Sequence, residues 1–218
     1  MKNNFILALM IFFFSSSQIF AENVVFKESN FNVLSYSSIK PNEFSFNNEN
    51  LEIKVDSSAS PLIYPLKSSK NYSKMIFSAR FDDKVKVSGP QGDKGHDDFS
   101  LRVGVVYEGD RTLNFFQRAV AAKWITTLFE LAPEGTGVSQ INFFNTYVDK
   151  RLASKSRVHP LSDLLVENFV GDLSTSNEVS VSVDLDRSKK ILALWISSDG
   201  DDTQSKYIVE INQISLVE

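Results

Sequence analysis

The chain has 218 residues, a formal net charge of −4, no cysteine and two histidines, His96 and His159. Without cysteine there is no disulfide framework, thiolate metal site, haem attachment or cysteine nucleophile. Two imidazoles cannot build a three-histidine metal centre, and a mildly acidic chain lacks the basic stripe that nucleic acid demands.

Met1-Lys2-Asn3-Asn4 carries one positive charge, residues 5–14 are unbroken apolar, and residues 15–18 turn polar ahead of Ala21. This is the order of a secretory signal peptide, with cleavage expected after Ala21. The apolar run is half the length of about 20 residues that spans a bilayer. The expectation is export to the periplasm or the cell exterior, no membrane span once residues 1–21 are removed, and one domain over residues 22–218.

Short alternating segments follow. Residues 22–27, 43–46 and 51–55 read as strands; in the last, Leu51, Ile53 and Val55 alternate with Glu52 and Lys54. Residues 47–50, Asn-Asn-Glu-Asn, make a turn between two of them. Residues 61–66 suit an edge strand, and residues 74–81 alternate again. A Gly-, Pro- and Asp-rich loop over residues 88–97 leads into the strongest alternation, Phe99, Leu101, Val103 and Val105 against Ser100, Arg102 and Gly104.

The period then changes. Phe116, Val120, Trp124, Leu128 and Leu131 recur every three to four residues, with alanines between and Pro133 and Gly135 beyond. This spacing predicts one inserted helix over residues 113–131. Residues 138–147 return to strand. Residues 162–169 fit helix or strand alike, which leaves room for a second short helix. Residues 179–185, 191–196 and 207–216 are further strands, with the turn Asp199-Gly-Asp-Asp-Thr203 before the last. The fold expected is mainly β, a β-sandwich of jelly-roll type.

Two stretches carry a family resemblance. His96-Asp-Asp-Phe-Ser-Leu-Arg-Val-Gly-Val-Val-Tyr107 resembles an Asp-Asp-Phe-x-x-Arg-Val strand, and Ala193-Leu-Trp-Ile-Ser-Ser-Asp-Gly-Asp-Asp-Thr203 resembles an Asp-x-Asp-x-Thr loop before a final strand. Together they resemble domain-of-unknown-function family 3047, exported bacterial proteins. Where that family's middle strand has Tyr-x-Trp, this chain has Phe143-Phe144-Asn145. The resemblance implies a β-sandwich and an exported location, and no reaction.

The acidic loops are the main constellation. Asp97 and Asp98 precede one strong strand; Asp199, Asp201 and Asp202 follow another. Carboxylates on flexible loops suit Ca²⁺, which takes six to eight oxygens, although the EF-hand pattern is absent. Asp and Gly also simply make turns, and Asp97 or Asp98 can pair with Arg102. The candidate binding residues are Asp97, Asp98, Arg102 and Trp195; the candidate metal set is Asp97, Asp98, Asp199, Asp201 and Asp202.

Trp124 and Trp195 are candidates for stacking on sugars, against packing in the core. His159, before Pro160, reads as exposed, and Lys150, Arg151, Lys155 and Arg157 as a solvated basic loop. No Gly-x-Ser-x-Gly elbow supports a serine triad. The sequence favours non-catalytic binding of a carbohydrate or cell-envelope component. The alternatives are a polysaccharide-acting enzyme using the loop carboxylates and an assembly partner of envelope proteins.

Overall fold

Alternation becomes strand along most of the chain. The computed structural model describes residues 20–121, 123–160 and 162–218, so the proposed leader lies, but for Phe20 and Ala21, outside the described residues. In chain order the elements are β1 (Ala21–Asn23), β2 (Asn32–Val33), β3 (Glu43–Phe46), β4 (Leu51–Asp56), β5 (Ala59–Asn71), β6 (Lys74–Phe81), β7 (Arg102–Gly109), α1 (Phe115–Val120), α2 (Lys123–Glu130), β8 (Gly137–Tyr147), β9 (Ser156–His159), β10 (Ser162–Asp172), β11 (Glu178–Asp184), β12 (Lys190–Asp199) and β13 (Lys206–Val217).

They form two sheets. One has the order β11-β6-β13-β4-β3, with β1 also on β13; the other runs β2-β5-β12-β7-β8-β10-β9. Neighbours are antiparallel except β8 and β10, which are parallel. The sandwich is the mainly β architecture expected from the alternation.

The main core lies between the sheets. Leu51, Ile53, Val55, Met75, Phe77, Val209 and Ile211 come from one side; Leu62, Val103, Val105, Leu194 and Ile196 come from the other. Each such side chain contributes roughly 1.5–3 kcal/mol when fully buried. β4 buries every second residue, so Glu52 and Lys54 turn away from the core. β12 buries both faces from Ile191 to Ser198, because a second apolar cluster covers its outer side. Leu34, Leu128, Phe143, Ala193 and Trp195 belong to that cluster. A strand covered on both sides reads as a continuous apolar run, which is why residues 191–196 lack alternation.

One expectation is corrected and two are sharpened. The helical stretch is two short helices, because Ala121 takes an extended backbone with φ −67° and ψ 145°. Asn114 and Gln117 form a capping box that starts α1. Leu128 and Phe129 of α2 are buried, whereas α1 buries none of its residues. The ambiguous residues 162–169 are strand, drawn into the parallel ladder Leu165↔Ile141 to Asp172↔Tyr147. Residues 61–66 belong to a strand of 13 residues, flanked on one side only by the two-residue β2, a place that tolerates Pro61 and Pro65. Among the described residues no helix is long and apolar enough to cross a membrane.

Candidate functional site

The site grows from the outer face of the seven-stranded sheet. Register places Ile63, Trp195, Gly104, Phe143 and Glu167 in one row across five strands. Gly104 is the low point of that row. A Cβ there would lie 2.8 Å from Phe143 Cδ1 and 3.2 Å from Trp195 Cβ. Its absence lets the two rings meet edge-on, with centroids 5.6 Å apart. Trp124 of α2 packs edge-on against Trp195 from above, also at 5.6 Å. The result is an aromatic wall.

Beside this wall opens a cavity of about 520 Å³, within the roughly 300–1,000 Å³ of small-molecule sites. Its apolar lining includes Tyr36, Ile39, Trp124, Ile125, Phe143, Leu165 and Trp195; its polar lining includes Asp97, Asp98, Arg102, His159, Ser197, Asp199, Asp201 and Asp202. The candidate binding residues Asp97, Asp98, Arg102 and Trp195 therefore share one cavity with Asp199, Asp201 and Asp202. The two acidic loops touch: Thr203 donates to Asp98 Oδ2 from its backbone N–H at 2.7 Å and its hydroxyl at 2.6 Å. The Asp97 N–H reaches Asp202 Oδ2 at 3.4 Å.

Arg102 organises the floor. Nε donates to Asp199 Oδ2 at 2.7 Å, Nη1 to Glu167 Oε1 at 2.8 Å, and Nη2 to the Asp97 carbonyl at 2.6 Å. Its guanidinium also lies over the Phe99 ring, 4.4 Å from the centroid. Glu167 is fully buried and accepts two further bonds, from Asn145 Nδ2 at 3.0 Å and Arg157 Nε at 2.7 Å. Charge-assisted bonds of this kind offset the cost of burying both ions. Burial works against the charge of Arg102, but Asp199, Asp97 and Glu167 outweigh it and hold the guanidinium firmly protonated.

The carboxylates are not equivalent. Burial pushes the Asp199 carboxyl up to about 7, against the pull of Arg102, with Asp98 and Asp201 adding to the rise. Burial also raises Asp98 and Asp201. For Asp97 burial is opposed more strongly by His159, Arg102 and Arg157, and its carboxyl falls below the usual range. Burial and the nearby Asp199 raise the Tyr36 phenol.

Several of these residues do not stand out in the sequence. His159 is not an exposed loop residue: it ends β9, and its Nε2 lies 3.3 Å from Asp97 Oδ2. Arg157 belongs to β9 and to the Glu167 network rather than to a solvated loop. Glu167 is a lone acid in the apolar stretch Leu164-Leu-Val-Glu-Asn-Phe169. A charge in such a strand requires a partner, and that is the signal that marks it.

The candidate metal set has no shared cage. Among the described residues, only Asp97, His159 and Glu167 bring at least three ligand atoms within 4.8 Å of one another. Both Glu167 oxygens already accept from guanidiniums, so an ion there would have to displace Arg102 or Arg157.

No protein-family model matches the chain, and no curated protein is significantly similar to it. Solved structures similar to it include a family 11 carbohydrate-binding module from Clostridium thermocellum, in complex with a β-1,3-1,4-mixed-linked tetrasaccharide. It is 9% identical, with a TM-score of 0.46, covering 92% of this chain and 96% of that one. A family 29 carbohydrate-binding module from Piromyces equi is 11% identical, with a TM-score of 0.38 and coverage of 92% and 91%. Winged bean acidic lectin, complexed with methyl-α-D-galactose, is 13% identical, with a TM-score of 0.45 and coverage of 92% and 98%.

Proposed function

We propose that this protein is an exported, non-catalytic binder of a saccharide or saccharide-bearing envelope component, held in the cavity on the outer face of the seven-stranded sheet. The observation that carries the reading is the meeting of an aromatic wall and a row of carboxylates in one cavity. A pyranose presents C–H groups on its faces and hydroxyls around its rim. The half-buried Trp124, backed by the buried Trp195 and Phe143, suits the first, and carboxylates, whose ionised form only accepts, suit the second. Trp195 adds a donor: its Nε1–H is buried and has no partner, and a ligand oxygen would satisfy it. The surplus of carboxylates disfavours uronic acids and favours neutral or amine-bearing sugars.

A glycan array followed by titration calorimetry tests this. Trp124→Ala, on half-buried α2, is expected to abolish binding while leaving the melting temperature within a few degrees. Failure of every glycan to bind would overturn the reading. Export is tested separately by sequencing the N-terminus of the secreted protein, which is expected to begin at Glu22.

One observation favours a polysaccharide-cleaving enzyme instead. A carboxyl raised to about 7 in a cavity, as at Asp199, suits a general acid. Release of new reducing ends from a bound polysaccharide, lost in Asp199→Asn, would establish that alternative.

A further inference from the structure

Between β7 and β8 the chain makes an excursion that the cavity uses only in part. α2 contributes Trp124 and Ile125 to the lining, but α1 contributes nothing. On α1, Phe115, Phe116 and Val120 are 80%, 79% and 85% exposed. The two rings meet edge-on at 5.8 Å, and none of the three belongs to an apolar cluster. A single exposed apolar side chain is ordinary, but a cluster of them marks an interaction surface.

Charge identifies the occupant. In a chain of net charge −4, residues 112–129 carry Arg118 and Lys123 and no acidic residue. Both cations are exposed and flank the apolar turn. The adjoining Arg111 is paired with Asp163 at 3.0 Å. Aromatic and aliphatic side chains on one short helix, bordered by cations, fit the headgroup layer of an anionic bilayer.

We propose that α1 is a membrane-surface contact: Phe115, Phe116 and Val120 enter the headgroup region, while Arg118 and Lys123 meet lipid phosphates. This surface is independent of saccharide binding, but α2 follows closely in the chain, so the cavity mouth would be held near the bilayer.

The absence of cysteine makes the test specific to this site. Ala119→Cys in the full chain takes a single environment-sensitive fluorophore one turn along from Phe115. Ser180→Cys, at an exposed position of β11 in the other sheet, takes the control label. The probes are vesicles of pure phosphatidylcholine and of equimolar phosphatidylcholine and phosphatidylglycerol. The expected result is a blue shift at position 119 with the anionic vesicles only, and none at position 180. Phe115→Ser with Phe116→Ser abolishes the shift. Arg118→Gln with Lys123→Gln raises the lipid needed roughly thirtyfold, at the usual contribution of a basic residue near an anionic surface. No shift at 119 with either vesicle, or equal shifts at 119 and 180, overturns the proposal. So does a concentration-dependent shift without lipid, which would mean that a second copy covers the patch.

Discussion

Arg102 on β7 donates to Glu167 on β10 at 2.8 Å, reaching across the intervening β8. Glu167 has no solvent exposure and Arg102 little. Water cannot reach Glu167 to replace Arg102, so the pair couples the two strands and fixes the floor of the cavity. Glu167→Gln leaves Arg102 and Arg157 facing a neutral amide. It is expected to destabilise the fold by about 3–5 kcal/mol, as removal of one partner from a buried pair does. Urea unfolding measures this, and a variant within about 1 kcal/mol of wild type would show that the network contributes little.

Gly104→Ala tests the aromatic wall. The added methyl meets Phe143 and Trp195 at distances that real Cβ atoms avoid, so the rings must part. The expected cost is about 1–3 kcal/mol, with a changed tryptophan emission spectrum and weaker ligand binding. Unchanged emission would show that the backbone yields instead.

Asp199 has a definite pH signature. Its folded pKa of about 7 lies above the unfolded carboxylate value of 3.8, so between those values the folded state holds more protons. Its contribution to stability is therefore full below about pH 4 and lost as pH rises through 7. Asp56 and Asp149, lowered to about 2 by bonds from Lys206 and Lys40 and from Arg151 respectively, act in the opposite sense and in a separate window: their contribution is present above pH 3.8 and lost as pH falls toward 2. Asp199→Asn keeps an oxygen for Arg102 and removes the titration. Melting temperatures of wild type are expected to gain relative to the variant as pH falls from 7 to 4. Parallel curves would show that Asp199 titrates normally.

Calcium provides a further check. Arg102 and Arg157 already neutralise the deepest carboxylates, so melts with Ca²⁺ and with EDTA are expected to coincide. A rise with Ca²⁺ would show that the rim aspartates capture an ion, because a ligand bound only to the folded state raises its melting temperature.

Fold and site are unequally legible in the sequence. Strands that bury one face, such as β4 and β6, announce themselves through alternation in burial. The double-sided cover of β12 erases that signal, and the break at Ala121 leaves none, since the apolar spacing continues through it. Asp97, Asp98, Arg102 and Asp199 attract notice as clustered charges. Their companions Asn145, His159 and Glu167 do not, because they meet only through the pairing of β7 with β8, β8 with β10, and β10 with β9. Such ladders join residues dozens of positions apart, and no local periodicity encodes them.

The position of β13 bears on how the molecule is made. Its residues 206–217 fill the gap between β4 and β6 and also hold β1. During synthesis the strands on either side are therefore complete long before the strand that joins them exists. The six-stranded sheet cannot close until residue 217 has left the ribosome, because its central contacts are long-range. Without β13 the sheet would fall into two separate pairs, β11-β6 and β4-β3, so a single strand decides whether one face of the sandwich exists at all.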